Sequence, residues 1–193
     1  MTSNRLEAFS DGVIAIIITI MVLELKVPHG ADRDALVPLV PVFLSYVLSF
    51  IYVGIYWNNH HHLLHLCSRV SGAILWANLH LLFWLSLFPI TTAWMGENHS
   101  AVLPSALYGA VLLMAALAWL LLQRAIISAQ GVDSALRQAL GADWKGRLSP
   151  LLYAAGAAAA LWEPWISQSI YALAALLWLI PDRRIERVIA SRE

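Results

Sequence analysis

The residues best suited to chemistry come at the start of the chain. Arg5, Glu7, Ser10 and Asp11 sit in RLEAFSDG, which runs straight into VIAIIITIMVL, where Thr19 is the only polar residue. On a helix, Arg5, Phe9, Gly12, Ile16, Thr19, Ile20 and Leu23 fall on one stripe through steps of three and four. The stripe begins polar and turns apolar apart from Thr19. An ionised side chain deep in a transmembrane helix costs about 2.5 to 3.5 kcal/mol on insertion scales. Asp11, next to Ser10 and a turn or two inside the helix start, therefore requires a partner or water. Three partners are available: Arg5, the run Asn58-Asn59-His60-His61-His62, and the region from Asn78 to His80. A polar vestibule above a narrow apolar neck is an arrangement that gates ions by dewetting. A plainer reading stands beside it. Asn4 and Glu7 have capping-box spacing, acids suit a helix N-terminus, and Gly12 allows close helix packing.

The elements that must position these residues are read from hydropathy. Of 193 residues 60% are hydrophobic, mean hydropathy is +0.69, and charged residues are 12%. That is about half the roughly 25% charge of a soluble domain, which excludes an ordinary cytosolic protein. A spanning helix needs about 20 mostly apolar residues. Six candidates result, at about 5–26, 37–57, 70–94, 102–127, 148–163 and 165–181, making one all-α membrane domain over residues 1–193. The last two are separated only by Glu163-Pro164 and reach about 25 Å each. A re-entrant hairpin competes with two full spans there. Asp11 breaks the apolar run that a signal peptide would need, and no small-residue cleavage site follows, so the segment is expected to stay in the mature protein.

Charge placement orients the spans. With six spans and the N-terminus inside, the cytoplasmic segments hold Arg5, Arg69, Arg124, Arg137, Lys145, Arg147, Arg183, Arg184, Arg187 and Arg192, against Lys26 and Arg33 outside. That asymmetry follows the positive-inside rule and puts both termini in the cytoplasm. Tryptophans near the proposed ends, Trp57, Trp94, Trp162 and Trp178 among them, read as headgroup-level anchors. The largest polar piece, about 128–147, is a short loop with an amphipathic stretch around SALRQALGADW.

Other chemistries are poorly served. There is no P-loop, GxGxxG, GxSxG or CxxC, and no ordered set of Asp, Glu, His or Ser for catalysis, so an enzyme is not expected. The single cysteine, Cys67, reads as a small buried hydrophobe. His61 and His65 stand four apart, a spacing that can hold one ion on a helix face, and histidine titrates near neutrality. A proton-coupled or metal-ion transporter using the His60–His65 cluster is therefore the alternative reading.

Three motifs carry a resemblance. Arg5-x-x-x-Phe9-Ser10-Asp11-Gly12 before an Ile-rich helix resembles the signature of the transmembrane protein 175 family of potassium channels. Tyr56-Trp57-x-Asn59-His60-His61 with Leu63, and Trp76-x-Asn78-Leu79 followed by Phe88-Pro89, are similar to that family's second and third spans. The resemblance implies a six-span subunit, four of which form a homotetramer whose first helices surround a central pore in a prokaryotic plasma membrane. It implies bulky apolar rings as filter and gate. Carried over by position, Ile16, Thr19, Ile20 and Leu23 line the pore. Arg5, Phe9, Ser10, Asp11 and Gly12 form the helix-packing motif, and Asn59, His60, His61, Asn78 and His80 are its polar partners. The implied permeant is potassium, with no cofactor, no bound metal and no nucleic acid. His62 departs from the family pattern, which expects a basic residue, and leaves open which histidine pairs with Arg5. The TVGYG loop of ordinary potassium channels is missing, which fits a different filter.

Overall fold

A computed structural model describes residues 2–131, 134, 136–137 and 143–179. Seven helices run through them: α1 (Ser3–Leu23), α2 (Val40–His65), α3 (Gly72–Ser86), α4 (Phe88–Glu97), α5 (Val102–Gln130), α6 (Trp144–Ala159) and α7 (Pro164–Leu179). Two 3₁₀ turns, Arg33–Ala35 and Val37–Leu39, lead into α2. The expected third span is two helices. Pro89 has no N–H to continue the ladder of α3, so the chain breaks at Leu87 and restarts as α4 with Pro89 in its first turn.

Four of the expected spans have helices long and apolar enough to cross a bilayer: Ser3–Leu23, Arg33–His65, Gly72–Glu97 and Val102–Gln130. The last two expected spans give helices of 16 residues each, about 24 Å long against a hydrocarbon core of about 30 Å. Their bounds differ from the sequence reading for local reasons. Asp143 accepts the Gly146 N–H and starts α6 at Trp144 rather than 148. Pro164 opens α7, where its missing N–H costs nothing. The extended second span has the same kind of cause, since the polar residues 58–62 stay helical and carry α2 on to His65. The Arg183-Arg184-Arg187 tail and most of the amphipathic stretch lie outside the described residues.

In lipid, apolar side chains gain little by leaving the bilayer, so close packing and interhelical hydrogen bonds hold helices together. Helix α5 is the centre, packed on α3, α4, α6 and α7. Tyr171 of α7 lies in a notch made by Gly109 and Gly156. A Cβ at Gly109 would stand 1.8 Å from its hydroxyl oxygen, and one at Gly156 would stand 2.4 Å from its Cε1. The Tyr171 hydroxyl donates to Ser105 O at 3.1 Å, and the Tyr52 hydroxyl of α2 donates to Tyr171 O at 2.6 Å. Thr92 donates to Ser49 Oγ at 2.6 Å, and Ser49 meets the Tyr108 hydroxyl at 2.8 Å, joining α4, α2 and α5. Cys67 is buried just past α2, as expected, and burial raises its thiol pKa above the ordinary value.

Candidate pore helix and its anchors

Helix α1 has two unlike faces. Leu6, Ser10, Ile14, Ile17 and Met21, in steps of four, four, three and four, are buried against α2, α3 and α4. The opposite stripe is Arg5, Phe9, Gly12, Ile16, Thr19, Ile20 and Leu23, and every one of these is exposed in the isolated chain. Ile16 is 60% and Leu23 75% accessible. A Cβ placed on Gly12 would meet nothing within 4 Å. The Thr19 hydroxyl donates to Ala15 O at 2.9 Å, which leaves its oxygen lone pairs facing outward among apolar neighbours.

The buried face is held by a polar relay. Ser10 donates to Leu6 O at 2.9 Å and accepts from Asn78 Nδ2 at 2.9 Å, while Asn78 Oδ1 lies 2.7 Å from His60 Nε2. All three side chains are fully buried. Since an amide oxygen only accepts, His60 Nε2 carries the hydrogen. Its Nδ1 has no hydrogen-bond partner among the described residues.

Asp11 makes no hydrogen bond to any of the three partners expected for it. Its Oδ1 accepts the Trp57 indole N–H at 3.1 Å. Because α2 remains helical here, only one side of the polar run can turn toward α1. Trp57, His60 and His61, three and four residues apart, are on that side. Asn59 is not, and donates to Ile55 O on its own helix at 2.8 Å. His80, also expected as a partner, accepts the Trp84 N–H within α3 at 2.9 Å. The capping box of Asn4 and Glu7 does not form. Thr2 precedes the helix without a side-chain cap, and the Glu7 carboxylate instead meets His61 Nδ1 at 2.5 Å. Arg5 forms no ion pair among the described residues, so no histidine pairs with it here. The role of Trp57 escaped the sequence reading, which treated it as an anchor. Its position one turn before His60 and His61 was the available signal.

At the other end of α1, Lys26 pairs with Glu97 at the close of α4. The Glu97 hydrogen bond and charge hold the Lys26 ammonium above its ordinary pKa. Two residues of opposite charge, 71 positions apart, thus link the exit of α1 to α4. Among the described residues no group of three or more His, Cys, Asp or Glu is placed to hold a metal ion. The transporter reading that relied on the histidine cluster therefore gains no metal site.

A bundle of apolar helices whose first helix is packed on one side and bare on the other defines a multi-pass membrane protein, with a surface suited to further copies or to a pore. Comparison with known proteins identifies which. Residues 5–89 match the family described as endosomal/lysosomal potassium channel TMEM175. A potassium channel of Chryseobacterium sp. (strain P1-3) is 56% identical over 187 residues, 97% of each chain. The crystal structure of a lysosomal potassium-selective channel TMEM175 homolog from Chamaesiphon minutus superposes with a TM-score of 0.75. It is 29% identical, over 92% of this chain and 96% of that one. The human endosomal/lysosomal proton channel TMEM175 is 37% identical over 89 residues, 18% of its own length. The chain belongs to the TMEM175 family, a family of ion channels and not of enzymes.

Proposed function

We propose that this chain forms a homotetrameric potassium channel in a prokaryotic plasma membrane, six spans per subunit with both termini cytoplasmic, its central pore lined by four copies of α1. The observation carrying this reading is the bare stripe of α1. Its large apolar residues lie opposite a face already committed to α2, α3 and α4. Single apolar residues on lipid-facing helices need no explanation, but a stripe that also carries Gly12 and Thr19 favours a protein neighbour over lipid. The potassium-channel names of the bacterial relatives supply the permeant.

Permeation is then passive, with no cofactor and potassium as the only ion required. Asp11, fixed by Trp57, gives the cytoplasmic mouth a negative group that concentrates cations. Rings of Ile16, Ile20 and Leu23 form a neck too apolar to keep a continuous water column, so hydration of this collar sets conduction. Thr19 supplies an oxygen between two of these rings. Potassium, sodium and proton flux through the purified protein in liposomes tests the assignment. Replacing Ile16 with Asn is expected to wet the neck and admit other cations. Unchanged conductance and selectivity in that variant would remove Ile16 from the pore.

A further inference from the structure

Six spans require two short helices to cross the whole bilayer. Helix α6 carries Arg147 near its start, and the chain meets no further charge until Glu163, so the apolar run is only Leu148 to Trp162. At the rise of an α-helix that run reaches about 22 Å. Helix α7 has 16 residues, or about 24 Å. By contrast the charge-free run of α5, Val102 to Gln123, reaches about 33 Å. Against a hydrocarbon core of about 30 Å the short pair falls about 6 to 8 Å short when upright, and tilting shortens its reach further.

The pair cannot slide to make up the difference, because it is fixed along its length. One turn into α7, Gln168 Nε2 donates to His99 O at 2.7 Å and to Ser105 Oγ at 3.1 Å, tying α7 to the α4–α5 connection and to α5. Toward the other end, Trp178 Nε1 donates to Ser149 Oγ of α6 at 2.7 Å. Between them Tyr171 fills the notch of Gly109 and Gly156. Arg147 is exposed and its long side chain can snorkel toward the headgroups, but the exposed Glu163 in the α6–α7 turn is too short to do so. Trp162 and Trp165, 75% and 64% accessible, flank Glu163, while Trp144 stands half exposed at the opposite end of α6. Tryptophans at headgroup level thus bracket a narrow apolar band.

This band lies away from α1. Helices α6 and α7 pack on each other and on α5, with α7 also touching α2, whereas α1 packs on α2, α3 and α4. Leu151, Leu161, Leu173 and Leu176 are exposed on the short pair. We propose that the α6–α7 face is a docking surface for short-chain phospholipid, held around it as a locally thinned bilayer, so that the protein favours thin membranes. Long acyl chains would either be compressed at this face or draw the Glu163 carboxylate into hydrocarbon, and both are unfavourable. The inference rests on the six-span reading with α1 turned toward the other subunits.

The test is lipid competition in vesicles of phosphatidylcholine with acyl chains from about 14 to about 22 carbons, read by quenching of tryptophan fluorescence by brominated phosphatidylcholine. The wild type is expected to bind the shortest chains about threefold more tightly than the longest. A Trp162→Phe, Trp165→Phe double variant should lose part of the quenching, since those two rings lie on the face concerned. Glu163→Leu, which lets the turn sink into apolar surroundings, should weaken the preference for short chains. Equal affinity across the series, a preference for long chains, quenching unchanged in the double tryptophan variant, or a full short-chain preference in Glu163→Leu each overturns the proposal. If Glu163→Leu does not assemble, Glu163→Gln removes the charge alone and is held to the same criterion. Quenching involves no ion flux, so it decides the lipid preference whether or not Ile16→Asn supports the pore reading.

Discussion

Replacing Asn78 with Leu tests whether the relay beneath α1 holds that helix in place. The side chain is fully buried and makes two interhelical bonds, to Ser10 at 2.9 Å and to His60 at 2.7 Å. Leu is close to Asn in size, so little cavity is created and the cost lies in the polar groups left behind. Ser10 keeps its bond to Leu6 O and loses only a donor to its oxygen. His60 fares worse, because its Nδ1 already lacks a partner among the described residues and its Nε2 hydrogen would lack one too. A buried donor without a partner costs about 1 to 3 kcal/mol, and an interhelical bond in a bilayer is worth about 0.6 kcal/mol on average. The sum is about 2 kcal/mol, or roughly a thirtyfold shift in the folding equilibrium. Ser10→Ala removes one acceptor and spares the Asn78–His60 bond, so about 1 kcal/mol is expected. The double variant should cost less than the two single changes added together, since both act on one network. Reversible unfolding in lipid–detergent bicelles measures all three. An Asn78→Leu protein within about 0.5 kcal/mol of wild type, or strict additivity in the cycle, would refute the relay as the anchor of α1.

Two glycines on different helices make a paired prediction. Gly109→Ala drives a methyl group into Tyr171 and is expected to abolish folded yield, an overpacking cost above about 1 to 3 kcal/mol. Gly12→Ala has open space within its own subunit, so the chain should fold and any loss should show in chemically cross-linked oligomers. Cys67 gives a chemical readout: its raised thiol pKa keeps the thiolate scarce at neutral pH. Maleimide labelling of the folded protein should be slow at neutral pH, and fast labelling at about pH 7 would contradict its burial.

Much of the fold was legible from local rules. The apolar runs located the four long spans because a bilayer crossing demands length and apolarity and little else. Pro89, Asp143 and Pro164 moved helix boundaries through their own backbone chemistry. The partners of the motif residues were harder. Asp11 had three plausible companions by proximity to the membrane surface, and the structure chose Trp57. That choice depends on the rotation of α2 about its axis relative to α1, which no spacing within either segment encodes. The same holds for Glu7, whose capping role was displaced by His61.

By itself the sequence determined which residues of α1 share a stripe and where charges could sit, because helical periodicity and the cost of burying charge act within a single segment. Only the tertiary structure decided that this stripe is the bare one. Leu6, Ser10, Ile14, Ile17 and Met21 are nearly as apolar as Phe9, Ile16, Ile20 and Leu23, and hydrophobicity cannot rank two greasy faces in a greasy solvent. The relay from Ser10 through Asn78 to His60 breaks the tie: those polar groups need one another inside the subunit, and in pairing they turn the other face outward.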